Sequence, residues 1–177
     1  VCVPISLDWH GRAMFGILQR FYHGEGPLKN ATRHKTLLKD FFLSQSLAVL
    51  ATYGCGQTYG SLVAFAATDD LESLLFATMR DTRKFANLTE NPMVALVMDN
   101  RANQETDFHG AIAVTATGSV QEAGALEKDL LLELYLSKHP YLKDFVTSPA
   151  CALLRLDVAT YFIVSDFQNV TVLHIKK

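Results

Sequence analysis

Phe76-Ala77-Thr78-Met79-Arg80-Asp81-Thr82-Arg83-Lys84-Phe85-Ala86-Asn87-Leu88 is the stretch that decides how this chain is read. The apolar run Leu74-Leu75-Phe76 predicts a buried strand, and the segment running to Asn91-Pro92 predicts a short helix after a tight turn. The first turn of such a helix presents unpaired backbone N–H groups and the positive end of the peptide dipoles. Arg80, Arg83 and Lys84 crowd onto that end, with hydroxyls at Thr78 and Thr82. Cations there oppose the dipole, so the cluster points to a bound anion such as a phosphate. The plainer alternative is that Asp81 or Thr82 caps the helix and the basic residues form a solvated face.

Outward from this motif, the apolar runs predict strands. Leu47 to Thr52 suits a strand buried on both faces, and a glycine-rich turn, Gly54-Cys55-Gly56, joins it to a second run from Tyr59 to Ala66 as a hairpin. Met93 to Met98 is a further buried strand that Pro92 starts, Ala111 to Val120 a longer one in which Gly118 permits a bulge, and the tail gives two more over Ala152 to Val164 and Val170 to Ile175. Helical periodicity begins at Thr32, with Leu37, Leu38, Phe41 and Phe42 inward, and returns over Leu126 to Lys138, with Leu130, Leu131, Leu134 and Tyr135 on one side. Arg101 to Asp107 is a polar loop, and Tyr141 to Pro149 reads as irregular.

The connections are short enough for antiparallel pairing of consecutive strands. The expected class is α+β, mainly β: an antiparallel barrel of about six or seven strands with helices at its ends, which leaves few free edges. With 177 residues there is room for one substantial core. Residues 1–30, with a short helix over Ala13 to Tyr22 and a break at Gly24-Glu25-Gly26-Pro27, read as an arm; residues 31–177 read as the barrel domain.

Composition narrows the function. With 16 Lys plus Arg against 18 Asp plus Glu, no global field recruits nucleic acid or an anionic membrane, so an anion site is local. Three scattered cysteines without a C-x-x-C spacing argue against a disulfide framework and a zinc ribbon, and favour a reducing, cytoplasmic setting. No apolar run reaches the length of a membrane span. The six histidines form no H-x-x-x-H pair, and no P-loop, G-x-S-x-G or G-x-G-x-x-G opening a helix is present.

The ordered set Leu47-Ala-Val-Leu-Ala-Thr, Tyr59-Gly-Ser-Leu-Val, Phe76-Ala-Thr with Thr82-Arg-Lys-Phe-Ala-Asn-Leu, and Asn91-Pro-Met-Val-Ala-Leu resembles the pyridoxamine 5′-phosphate oxidase-like, FMN-binding split-barrel superfamily over about Thr32 to Ile175. The resemblance implies an FMN whose phosphate is held by Arg80, Thr82, Arg83 and Lys84. Its ring system would lie along Ser61, Leu62, Val63 and along Phe76, Ala77 and Thr78. It also implies a homodimer with the cofactor between subunits, so that Asn103 and Gln104, and Phe167 and Gln168, are candidates to reach the flavin. The true oxidase ends in a tryptophan-rich segment and an Arg-x-His; this chain has only Trp9 and no such tail, so pyridoxamine phosphate is not its expected substrate. The expected activity is that of an FMN-dependent oxidoreductase moving electrons or hydride between a donor such as NAD(P)H and a small acceptor. The alternative is a flavin- or haem-binding carrier or sensor on the same barrel.

Overall fold

Alternating side chains build seven segments of the chain into strands, and Gly and Pro stand at several of their ends. The computed structural model describes residues 27–166 and 169–175, with side chains from residue 32 onward. In chain order the elements are α1 (Pro27–Ser44), β1 (Leu47–Gly54), β2 (Gln57–Ala67), β3 (Ser73–Met79), α2 (Arg83–Glu90), β4 (Met93–Asp99), α3 (Asp107–Gly110), β5 (Ala113–Glu122), α4 (Lys128–Lys138), a 3₁₀ turn (Pro140–Leu142), α5 (Lys143–Val146), β6 (Cys151–Ser165) and β7 (Asn169–His174). Helix α1 begins at Pro27, five residues ahead of the expected Thr32. Proline suits a first helical position because the N–H it lacks would have no partner there. The rest of the expected arm, including the helix over Ala13 to Tyr22, lies outside the described residues, as do Phe167 and Gln168.

The sheet order is β3-β2-β1-β4-β5-β6-β7, every pairing is antiparallel, and a further β3–β6 ladder closes the first six strands into a barrel. The long strand β6 makes this possible. Its first half, Cys151 to Asp157, pairs with β3, and its second half, Thr160 to Ser165, pairs with β7, which lies outside the barrel. Bending such a strand needs a local irregularity, and the β5–β6 register slips between Thr117 and Gly118. A Cβ at Gly118 would collide with the Asp157 carbonyl, so glycine is required at the bulge.

Inward-facing Leu50, Phe65, Phe76, Leu96, Val114, Leu154 and Tyr161 fill the barrel, and Leu38, Phe41 and Phe42 of α1 close it. A second core lies outside the wall, where Leu131 and Tyr135 of α4 cover Ala66, Leu75, Ala77 and Leu153. Leu130, expected on that buried side, is 70% exposed, because only the Leu131–Tyr135 side of α4 meets the barrel. The expected irregular stretch after Pro140 contains the 3₁₀ turn and α5.

Strand β1 departs from expectation in a way that matters. It was expected to be buried on both faces, yet its burial alternates, with Leu47 and Val49 exposed on the outer face. Among the described residues no helix covers the barrel there. One row of cross-strand partners, Leu62–Val49–Val97–Thr115–Phe162–Val172, crosses β2, β1, β4, β5, β6 and β7 on this outer side. Five of its six members are apolar. Among the described residues no helix is long and apolar enough to cross a membrane.

Candidate functional site

The barrel wall opens beside α2. Strands β2 and β3 pair only over Phe65 to Ala67 and Leu74 to Phe76, so the first half of β2 and the end of β3 have no ladder partner on the sides that face each other. Sheet edges of this kind carry unpaired backbone donors and acceptors. Ser61, Leu62 and Val63 lie on the open part of β2, and Ala77 and Thr78 on the open part of β3, just past the last paired residue, Phe76. Phe76 and Val63 are core side chains and Leu62 points outward, so what these three offer at the opening is backbone. Ser61 Oγ is buried without a hydrogen-bond partner. An orphaned hydroxyl costs free energy unless something polar reaches it, which makes it a marker for a bound group.

The turn after β3 is held by hydroxyls. Thr82 Oγ1 donates to the Met79 carbonyl at 2.8 Å and accepts from Phe85 N at 3.4 Å, so Thr82 is the helix cap. The Thr78 hydroxyl lies 3.1 Å from that of Thr82 and 3.4 Å from the same Met79 carbonyl, so the two hydroxyls and the carbonyl form one cluster. Ala86 N bonds Thr82 O, which leaves the N–H groups of Arg83 and Lys84 as the unpaired donors of the first turn.

The three cations differ. Arg80 makes a two-point pair with Glu122, one bond at 3.0 Å, and stacks over Phe85 at 5.4 Å; the guanidinium holds Glu122 below the usual carboxylate range. Arg83 reaches across the opening to β2, donating to Gln57 Oε1 at 2.9 Å and lying 4.8 Å over the Tyr59 ring. Lys84 is half-buried and has no hydrogen bond or ion pair among the described residues. An uncommitted lysine beside two free N–H groups is a fit for a phosphate.

Close packing sets where α2 lies. Asn87 donates to Thr52 Oγ1 at 3.0 Å inside the barrel end, and its Oδ1 occupies the space a Cβ on Gly54 would need, at 2.5 Å. The hairpin beyond Gly54 turns through Cys55 and Gly56, both with positive φ, a two-residue turn that matches strand twist. Glu90, at the end of α2, accepts from Cys55 N at 3.0 Å and secures that turn. Sequence reading missed Glu122, Gln57, Tyr59 and Glu90. Glu122 is far off in the chain and no spacing signals it.

Asn103 and Gln104 lie elsewhere. They belong to the loop before α3, at the far end of β4 from α2, roughly 20 Å along the strand. Asp107 organises this loop by accepting from Ala102 N at 3.1 Å and Gln104 N at 3.0 Å, bonds that hold its carboxyl below the usual range. Asn103 and Gln104 help line a concavity of about 820 Å³ with Val97, Phe108 and Val164, on the same outer face as the apolar row. Among the described residues no cluster of His, Cys, Asp or Glu suits a metal ion.

Comparison with known proteins agrees with this architecture. No curated protein matches the chain. A haem-binding protein from Mycobacterium smegmatis superimposes with a TM-score of 0.71 at 14% identity, covering 86% of this chain and 60% of its own, so the chain spans well under the full length of that neighbour. General stress protein 26 from Bacillus anthracis gives 0.63 at 16% identity, covering 81% and 99%. An FAD-binding protein from Mesorhizobium loti gives 0.58 at 17%, covering 72% and 91%. The model of the pyridoxamine 5′-phosphate oxidase family matches residues 35–165, most of the chain. With its closed six-strand barrel and the strand beyond it, the chain belongs to the pyridoxamine 5′-phosphate oxidase-like split-barrel family.

Proposed function

We propose that this protein is an FMN-binding flavoprotein, an oxidoreductase that passes electrons or hydride from a reduced donor such as NAD(P)H to a small acceptor. The observation that carries the reading is the uncommitted Lys84 beside the free N–H groups of Arg83 and Lys84, at an opening where Ser61 Oγ has no partner. Lys84 and those N–H groups would neutralise the FMN phosphate, and Arg83 would add charge while its bond to Gln57 fixes its direction. The open edges of β2 and β3 would meet the polar rim of the ring system with backbone groups. FMN, when bound, supplies hydride acceptance and donation at its N5, and the protein contributes position, electrostatics and access.

The same reading makes the functional unit a homodimer. The outer row through Val49, Val97 and Phe162 is apolar and, among the described residues, uncovered, a surface that suits a second copy of the chain. Pairing would also allow Asn103 and Gln104 of one copy to approach the α2 start of the other, which they do not reach within one chain. Free thiols at Cys55 and Cys151 accord with a cytoplasmic setting.

A second reading, haem carriage, draws on the name of the Mycobacterium smegmatis neighbour. The absorption spectrum of the purified protein separates the two. A flavin spectrum, with FMN released on denaturation and reduction by NADH or NADPH, is the expected result. A haem Soret band, or no chromophore together with no gain in Tm on adding FMN, would overturn it.

A further inference from the structure

A second cavity, of about 350 Å³, lies between α1, α4 and the turn from β2 to β3. Ala66 and Ala67, at the far end of β2, are part of its wall, while Gln57 at the other end meets Arg83; the eleven residues of the strand span about 35 Å. It is therefore separate from the proposed flavin site. Phe42, Leu43, Leu71 and Leu134 give it an apolar lining, and its volume falls in the range of small-molecule pockets.

Its charged lining is unbalanced. Lys39 and Lys138 face one acidic residue, Asp69, and neither lysine pairs with a carboxylate among the described residues. Lys138 is the informative one. Its ammonium donates to the Phe42 carbonyl in the last turn of α1 at 2.7 Å and sits 4.0 Å over the Phe65 ring. The carbonyl accepts one of three N–H donors and the ring face is a weak counter-charge, so among the described residues a half-buried cation keeps donor capacity with no anion to match it. Asp69 is exposed and, among the described residues, without an ion pair.

We propose that this cavity binds a small monocarboxylate with an apolar tail, its carboxylate on the Lys138 ammonium and its tail against Phe42, Leu71 and Leu134. Charge complementarity selects the headgroup, and the apolar wall selects the tail. Burial has lowered Lys138 to about 8, the behaviour of a cation that lacks a counter-ion. Lys39 from α1, Asp69 from the β2–β3 turn, Tyr135 on α4 and His139 just past its end are the titratable groups around it. Carboxylate binding needs the protonated amine, so affinity is level below that value and falls up to tenfold per pH unit above it.

Octanoate is the probe, titrated calorimetrically into the full chain, with octanol as its uncharged analogue. The expected result is saturable octanoate binding, at least tenfold tighter than octanol, that weakens from pH 7 to pH 9 and is lost in Lys138→Met. Octanol binding as tightly as octanoate, or Lys138→Met binding octanoate unchanged, overturns the proposal. Because Lys138 also caps α1, the octanol comparison in the native chain decides the matter if the variant does not fold. Octanoate binding is also expected to survive in Arg83→Ala/Lys84→Ala and in the presence of FMN; competition with FMN would overturn the assignment to a separate cavity.

Discussion

Asn87 on α2 donates its side-chain amide to the hydroxyl of Thr52 on β1 at 3.0 Å, with both residues buried. This bond fixes the helix against the barrel end, and the helix in turn presents Arg83 and Lys84 at the opening between β2 and β3. The site's position therefore depends on a polar contact and on a glycine, since Gly54 is the residue whose missing side chain admits Asn87.

Gly54→Ala tests that dependence. A Cβ 2.5 Å from Asn87 Oδ1 forces α2 to shift or Asn87 to rotate away from Thr52. The expected cost is about 1–3 kcal/mol, as for other overpacked sites, read as a lower urea midpoint. Asn87→Ala is expected to cost about 1 kcal/mol by removing the amide that donates to Thr52, whose hydroxyl keeps its own bond to the Tyr59 carbonyl. Unchanged midpoints in both variants would show that α2 is not held in this way.

The pair of Arg80 with Glu122 tests the proposed FMN site. The Glu122 carboxylate occupies the Arg80 guanidinium beside the start of α2. Glu122→Gln is expected to tighten FMN binding about two- to fivefold by freeing a positive charge near the helix start. Weaker binding, measured by quenching of FMN fluorescence, would mean that the pair positions Arg80 instead of competing for it. The sign with pH follows from the depressed carboxyl: the pair is intact above the usual glutamate value of 4.5 and is lost as pH falls below it. In the native protein, Arg80 is therefore released by acid.

Much of the fold was legible because its signals are local. Seven apolar runs punctuated by Gly, Pro and Asn became seven strands, and Gly118 marks the bulge. The start of α1 was misread because Gly26-Pro27 is equally a linker signal and a proper helix beginning. Leu130 was misplaced since helical periodicity does not say how wide a stripe the neighbouring wall covers. At the site, the sequence offers Asp81 or Thr82 as cap and brings three cations together, whereas the choice of Thr82, the Glu122 pairing and the parting of β2 from β3 depend on the folded geometry. Strand β1 departs most: apolar residues on both of its faces predict double burial, and among the described residues only the inner face is covered.

That uncovered half predicts an assembly state. Val49 and Phe162 sit in the same outer row, 39% and 37% exposed. Val49→Lys with Phe162→Lys is expected to convert a homodimer into a folded monomer by light scattering, with loss of bound FMN. A wild-type protein already monomeric at micromolar concentration would remove the partner from the proposal.

His139 gives the stability of the fold a pH dependence. The imidazole is fully buried on the C-terminal side of α4, with Nε2 2.8 Å from the Phe65 carbonyl and Nδ1 3.2 Å from the Tyr141 hydroxyl. A neutral ring satisfies both contacts by donating from Nε2 and accepting at Nδ1. Desolvation disfavours the imidazolium and pushes His139 below the ordinary value of 6.5, outweighing the opposing pull of the Phe65 carbonyl. The unfolded chain then binds a proton that the native state refuses, so stability is full above about pH 6.5 and declines as pH falls below it. His139→Gln can still donate to Phe65 but does not titrate. Urea unfolding at pH 7.5 and pH 5.5 is expected to show a loss of stability in the native protein that is markedly smaller in His139→Gln; equal losses in the two proteins would assign the acid sensitivity to other groups.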